Sequence, residues 1–392
     1  MRARTANKIQ SKIGALIYGQ QFSGKSTLAS QLAYFKRPED GKPFRVLYVD
    51  AENGSIDDMI DKLEEDGIDT RNIWIVYTQS IGEVKQLIAK IKNNEDFYNF
   101  DDEGNETDEI ILDADGQPFR ADAIVLDGTT VMNMSLKQSL IEFSKKRNSV
   151  KAKAKGLVGE ERLVAVENSG LELRDYQVIG FKNQDLVLDL MSTGINYVIT
   201  AREANEKETV KDKDGKITSI DTGKKVPDGM KGVTYNVKTV IHTCIDDDGS
   251  IYAVIEKDRT GVHTANEVVE NPTLLDWQSV IDKTAKNEKF VVKNSLVESV
   301  EKEQDIYSRE VLGSAGKPIA KDEINNEDSS STSTDEVADI KSKITAIQKS
   351  LNPVQKSAAK TALSEAGLPT ALKTVTDIEV LNKCLEILSN IK

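Results

Sequence analysis

Histidine and cysteine each occur only twice in 392 residues, and that scarcity removes two kinds of chemistry at the outset. His242 and His263 are too few for a histidine-based metal centre. Cys244 and Cys384 lie far apart without metal-ligand spacing, so isolated core thiols in a reducing compartment are expected. No apolar run approaches the roughly 18 residues of a membrane span, and the basic start (Arg2, Arg4, Lys8, Lys12) is not followed by a signal-type apolar core, so a cytoplasmic setting is expected. Aromatic residues make up 5%, which leaves few platforms on which bases could stack. Positive charge is also in deficit: 52 Lys and Arg stand against 65 Asp and Glu, a net charge of −13. A uniformly basic coat is excluded, although a local basic channel is not, because distribution rather than total decides that.

What is present is one stretch around which the rest is ordered. From Gly14 to Ser30 the chain reads GALIYGQQFSGKSTLAS, an apolar strand (Ala15 to Tyr18), a glycine-bounded loop and a helix start. Gly19, Gly24, Lys25 and Ser26 fit the G-x-x-x-x-G-K-[ST] phosphate loop in the strand–loop–helix context that this motif needs. Gly19, Gln20, Gln21, Phe22, Ser23, Gly24, Lys25, Ser26 and Thr27 are therefore the candidate nucleotide-binding residues. Backbone N–H groups and the helix start face the phosphates, Lys25 bridges the β- and γ-phosphates, and Ser26 offers its hydroxyl to Mg²⁺.

The chain then alternates strand and helix. Arg45 to Val49 reads as a strand ending on Asp50-Ala51-Glu52, and is followed by a helix (Ser55 to Asp66), a strand (Ile73 to Tyr77) and an amphipathic helix with Val84, Leu87, Ile88 and Ile91 on one face. Residues 95–120 are acidic and polar and read as a surface insertion with a turn at Asp115-Gly116. The strand Ala123 to Leu126 ends on Asp127, a second candidate Mg²⁺ ligand, because parallel strands present such residues at one crevice. Residues 135–176 and 203–232 read as long polar loops, the second with a small hairpin around Asp214-Gly215. Between them a helix carrying Val187, Leu190 and Met191 leads to the strand Tyr197 to Thr200. Val237 to Cys244 and Ile251 to Glu256, separated by Asp246-Asp247-Asp248-Gly249, form an antiparallel edge hairpin that runs into Lys257-Asp258-Arg259. A last core helix holds Leu274, Trp277, Val280 and Ile281. The expected division is an ATPase-type domain over 1–285, a polar flexible linker over 286–337 and a small all-α module over 338–392.

The order of phosphate loop, Asp50-Ala51-Glu52, strand-end Asp127 and late Lys257-x-Arg259 resembles the RecA-like ATPases, most of all those of bacteriophages that act in recombination and single-strand annealing. The resemblance spans residues 13–285. It implies a mostly parallel twisted α/β sheet flanked by helices with an antiparallel edge hairpin, ATP and Mg²⁺ as ligands, and assembly into a ring or filament. It makes Glu52 the group that polarises the attacking water, and Lys257 and Arg259 the cations inserted into a neighbour's site. It also puts DNA-contacting loops at 135–176 and 203–232, and a phage origin would place the protein in the host cytoplasm.

Within the first of those segments Lys145, Lys146, Arg147, Lys151, Lys153 and Lys155 form a basic cluster inside an acidic chain, the candidate contact for single-stranded DNA. The second segment lacks the glycine–asparagine pattern of the recombinases, which separates this chain from strand exchange proper. A ring helicase or loader shares every nucleotide motif. A nucleotide-gated scaffold that binds proteins through the C-terminal module is the reading from another class. No arginine-rich lid segment is present, which argues against a small-molecule kinase.

Overall fold

A computed structural model describes residues 12–101, 103–211, 217–229, 232–285 and 299–306, and in the C-terminal part residues 344, 347, 362, 363, 366 and 378–389. Two compact units are formed, Met1–Lys302 and Glu303–Lys392.

In the first unit the apolar runs become the strands β1 (Gly14–Gly19), β2 (Val46–Asp50), β3 (Ile73–Tyr77), β6 (Ala123–Asp127), β7 (Asn196–Lys211) and β9 (Thr239–Ile245). With β10 (Ile251–Asp258), β11 (Glu267–Glu270) and β8 (Ile217–Pro227) they make a nine-stranded sheet in the order β11-β10-β9-β1-β7-β6-β2-β3, with β8 paired to β7. Neighbours from β3 to β9 are parallel, whereas β10 pairs antiparallel with β9 and β11 with β10. This is the mostly parallel α/β sheet flanked by helices, with an antiparallel edge, that the resemblance implies. Strands buried on both faces must be apolar at every position, and the two-residue period divides them: Leu16, Leu47, Ile124 and Ile199 enter one core, Ala15, Val46, Val125 and Val198 the other. Helices α3 (Ile81–Asn93) and α6 (Leu173–Thr193) cover the first face; α1 (Lys25–Ser30), α2 (Asp57–Glu65) and α8 (Gln278–Ala285) cover the second.

Three expectations are corrected. Residues 135–176 are helical rather than a loop, being most of α4 (Thr129–Ala154), all of α5 (Gly159–Glu167) and the start of α6. Polar residues on nearly every side hide the helical period of α4, but no glycine or proline interrupts its 26 residues. Residues 203–227 are no open loop with a small hairpin: β7 continues to Lys211 and pairs with β8 from Glu203↔Pro227 to Lys211↔Ile217. The turn expected at Asp214-Gly215 lies outside the described residues. Finally, the insertion 95–120 does not simply lie on the surface. It contains the hairpin of β4 (Tyr98–Phe100) and β5 (Glu106–Ile110), and its ends drive Phe97 and Phe119, 1% and 0% exposed, into the core. There they meet Trp74 of β3 at ring-centroid distances of 5.1 and 6.2 Å. The expected turn at Asp115-Gly116 is present, closed by a bridge between Leu112 and Pro118.

The linker expected over 286–337 lies outside the described residues except for 299–306, which are helical. In the second unit Ile344, Leu363, Leu381, Cys384 and Leu388 are buried together around a helix, Ile378–Ser389. Cys384 is thus a core thiol as expected, while Cys244 is only half-buried.

Candidate active site

Parallel pairing brings the carboxyl ends of β2, β6, β7 and β1 to one edge of the sheet, with Asp50 level with Asp127 and Gly19 level with Arg202. The phosphate loop leaves this edge against β9. A Cβ on Gly19 would lie 2.2 Å from the carbonyl oxygen of Thr243, so only glycine fits there. Ser23 is fully buried and exchanges a 2.6 Å hydrogen bond with Thr243 Oγ1, while its hydroxyl also lies 2.9 Å from the Gln20 carbonyl. Gly24 takes the left-handed φ of 80° that starts α1. Phe22, with φ 62° and 82% exposed, is held outward at the tip beside the exposed Gln20 and Gln21. Lys25 Nζ donates to the Gln20 carbonyl at 2.6 Å. Burial lowers the proton affinity of Lys25, and Glu52, Asp127 and Glu203 oppose that shift, which puts these carboxylates within electrostatic reach of the ammonium. Ser26 is half-buried on the first turn of α1 and Thr27 exposed next to it.

The two strand-end aspartates do different work. Asp50 is fully buried and accepts from the backbone N–H groups of Glu52, Gly54 and Ser55 at 2.7–2.8 Å, which folds the loop that presents Glu52. Asp127, 2% exposed, accepts from Tyr48 and Ser55 hydroxyls at 2.6 Å on one oxygen and from Thr200 on the other. Burial and the neighbouring Asp127 carboxylate hold the Tyr48 phenol protonated far above its ordinary range, so it remains a donor.

Glu52 packs over Gly128, where an added Cβ would come within 2.6 Å of its Cγ. Its Oε1 accepts from both Nε and Nη2 of Arg202, at 3.0 and 2.9 Å. Arg202 is a partner that the motifs in the sequence do not mark, and neither do they mark Tyr48, Ser55, Thr200 or Thr243. The available signal was the polar end of β7 (Thr200, Arg202), the strand between those of the loop and of Asp127. Arg202 also roots the β7–β8 hairpin, its carbonyl accepting from Asp228 N at 2.7 Å. The next residue, Glu203, pairs with Lys225 at 3.1 Å and with His242 at 3.0 Å. The His242 ring stacks on Tyr18, whose hydroxyl donates to Glu256 at 2.7 Å.

Lys257 and Arg259 do not join this edge. β10 runs antiparallel, so Lys257 lies opposite Val240 and Arg259 N bonds Lys238 O, whose own N–H bonds Gly14 O at the far end of β1. That is five residues from Gly19, about 16 Å at roughly 3.3 Å per residue. Lys257 Nζ donates to the carbonyls of Thr234 and Val237 at 2.6 Å and of Tyr235 at 3.3 Å, so it caps the short helix α7 (Val233–Asn236). The Arg259 side chain is exposed.

The basic cluster on α4 is also divided. Lys145 pairs with Glu142 and Glu167, Arg147 with Asp175 and Lys151 with Glu172, whereas Lys146, Lys153 and Lys155 have no ion-pair partner among the described residues.

No family model and no curated protein matches the chain. Among the solved structures similar to it is a KaiC-like protein of the hyperthermophilic archaeon Pyrococcus horikoshii OT3, with 15% identity, a TM-score of 0.33, and coverage of 67% of this chain and 90% of that one. A likeness at that score carries no weight for function, and the architecture rests on the chain's own strand order and register.

Proposed function

We propose that the chain is a Mg²⁺-dependent ATPase of RecA-like type that assembles as a homo-oligomer on single-stranded DNA, for recombination or strand annealing of the bacteriophage kind. The observation that carries this reading is the convergence of Lys25, Glu52 and Asp127 on one sheet edge beside a preshaped phosphate loop. The loop N–H groups and the start of α1 bind the phosphates, and Lys25 exchanges its bond to the Gln20 carbonyl for phosphate oxygens. Glu52 orients water for in-line attack on the γ-phosphorus and accepts its proton as the bond to the β-phosphate oxygen breaks. Arg202 holds the carboxylate in position for this.

Mg²⁺ fits the donor set, which consists of hard oxygens. Ser26 would ligate it directly. Asp127 would do so through water, because one of its oxygens already accepts two hydrogen bonds. When bound, the ion neutralises charge on the phosphates. Arg259, at the opposite edge of its own sheet, acts in a neighbour's site, which makes assembly part of catalysis.

The test is phosphate release by the wild type, Lys25→Ala and Glu52→Gln, each with and without single-stranded DNA. Lys25→Ala should lose nucleotide binding, and Glu52→Gln should bind ATP yet hydrolyse it slowly. Equal rates for wild type and Glu52→Gln would remove Glu52 from the mechanism. Absence of any DNA binding would favour a nucleotide-gated scaffold, and unwinding of a tailed duplex would favour a ring helicase.

A further inference from the structure

The contacts made around α4 leave one strip of this helix bare. Arg147 and Lys151 turn to α6, where they meet Asp175 and Glu172. Ser144 and Asn148 turn to the segment between α5 and α6, bonding Gly170 O at 2.9 Å and Ser169 Oγ at 2.8 Å. On the next side Lys145 pairs with Glu167 at 3.1 Å and Ser149 accepts from Arg162 at 3.0 Å, both on α5. What remains, at the i, i+3, i+7, i+10 spacing of one helix face, is Phe143, Lys146, Val150 and Lys153. Phe143 and Val150 are 56% and 70% exposed, and neither lysine has an ion-pair partner among the described residues.

We propose that this strip is the track for single-stranded nucleic acid, with Lys146 and Lys153 on phosphates of the same strand and Phe143 under a base. The inference rests on the DNA-binding part of the function proposed above and narrows it from a six-residue basic cluster to one helix face. Two observations favour nucleic acid over another occupant. The strip offers two unpaired cations in a chain of net charge −13, so its complement is an anion, and a second copy of so acidic a chain is a poor one. It also sets an exposed aromatic ring, Phe143, one turn from the first of the cations, and base stacking and phosphate neutralisation combine in this way on single strands. Arg147 lies 5.5 Å from the centre of the Phe143 ring while bound to Asp175, so the ring is braced from below by a charge that is already spent. Lys145, Arg147 and Lys151 hold the three helices together and do not contact the strand.

The experiment is binding of the full-length protein to oligo(dT) across a salt series, for the wild type, Lys146→Gln/Lys153→Gln and Lys145→Gln/Lys151→Gln. The first pair should reduce the slope of log affinity against log salt by about 1.4, from roughly 0.7 per phosphate contact, and the second pair should leave it as in the wild type. In a separate variant, Phe143→Trp should show indole quenching on addition of oligo(dT), a local signal that a general loss of structure would not produce. A wild-type slope in Lys146→Gln/Lys153→Gln, or an unquenched indole at 143 while DNA binds, would overturn the strip and leave DNA binding elsewhere on the chain. No oligo(dT) binding by the wild type would overturn the DNA reading as well. Preference of the strip for anionic vesicles over oligo(dT) would reassign it to a membrane surface.

Discussion

At the carboxyl edge of the parallel strands Asp50, Asp127, Ser23 and Glu52 are hydrogen-bonded within the molecule, whereas on the outer strip of α4 Phe143 and Val150 are largely exposed and Lys146 and Lys153 have no ion-pair partner among the described residues. Asp127, Ser23 and Glu52 have hydrogen-bond partners on strands far apart in sequence, and Asp50 is held by the loop that follows it. Phe143, Lys146, Val150 and Lys153 depend on a single helix for their placement. The difference shows what each region is built to tolerate. Under the proposed function the contrast has a reason: phosphoryl chemistry loses rate steeply with small displacements and calls for groups wired in place, whereas a flexible chain is followed by an open face.

The largest expected effect lies on the wired side. Glu52→Gln should lower kcat at least about 100-fold with nucleotide affinity retained, measured by steady-state phosphate release and by equilibrium binding. Gly128→Ala comes next. Its Cβ would collide with Glu52 and its φ of 83° disfavours a side chain, so kcat should fall roughly 10- to 100-fold with little change in KM. A wild-type rate in that variant would show that the site is softer than its bonding suggests.

Lys257, wired to α7, and Arg259, proposed to act in a neighbour's site, allow structural and catalytic roles to be separated within one tripeptide. Lys257→Ala, by stripping three carbonyls of their donor, should cost about 1–3 kcal/mol in denaturant unfolding. Arg259→Ala should leave stability unchanged but remove activity, and that activity should return when its subunits are mixed with Glu52→Gln subunits. No recovery in confirmed mixed assemblies would end the proposal that Arg259 acts in trans. The smallest effect on function is expected from Phe97→Ala, which should cost about 3–5 kcal/mol of stability with no change in ATP affinity, because Phe97 packs on Trp74 near the start of β3, whereas the candidate site lies at the strands' carboxyl ends.

How much of this was legible in the sequence follows from the same contrast. The strand-end positions of the loop, Glu52 and Asp127 were legible because each sits just after a buried strand, and a run of apolar residues ending in a polar group marks such an end; the roles given to them remain proposals. Arg202 could not be assigned, since its meaning depends on a salt bridge to a residue 150 positions away. α4 differs from the loop expected because a helix held to its neighbours largely through Lys145, Arg147 and Lys151, paired with acidic residues on α5, at the start of α6 and in α6, carries no apolar stripe of the usual kind. The outer half of β7 was misread for a related reason: past Arg202 its residues face water on both sides, and pairing with β8 rather than burial sets their conformation. Phe97 and Phe119 were overlooked because the acidic residues between them set the character of the whole insertion.

The β7–β8 hairpin has a mechanical consequence. One continuous strand runs from Tyr197, inside the parallel sheet, to Lys211, nine residues beyond Arg202. That overhang is a lever of about 30 Å, and a tilt of roughly 5° at its root would carry the tip some 2–3 Å, with roughly 3.3 Å of length per residue. The fulcrum is the tight group of Arg202, Glu203, Lys225 and His242, which touches the glutamate of the site on one side and the strand of the phosphate loop on the other. Any angular play at that root would be passed to the far end of the arm as travel on the scale of a hydrogen bond, the bulge between Asn205 and Lys207 being the one irregularity among its described residues.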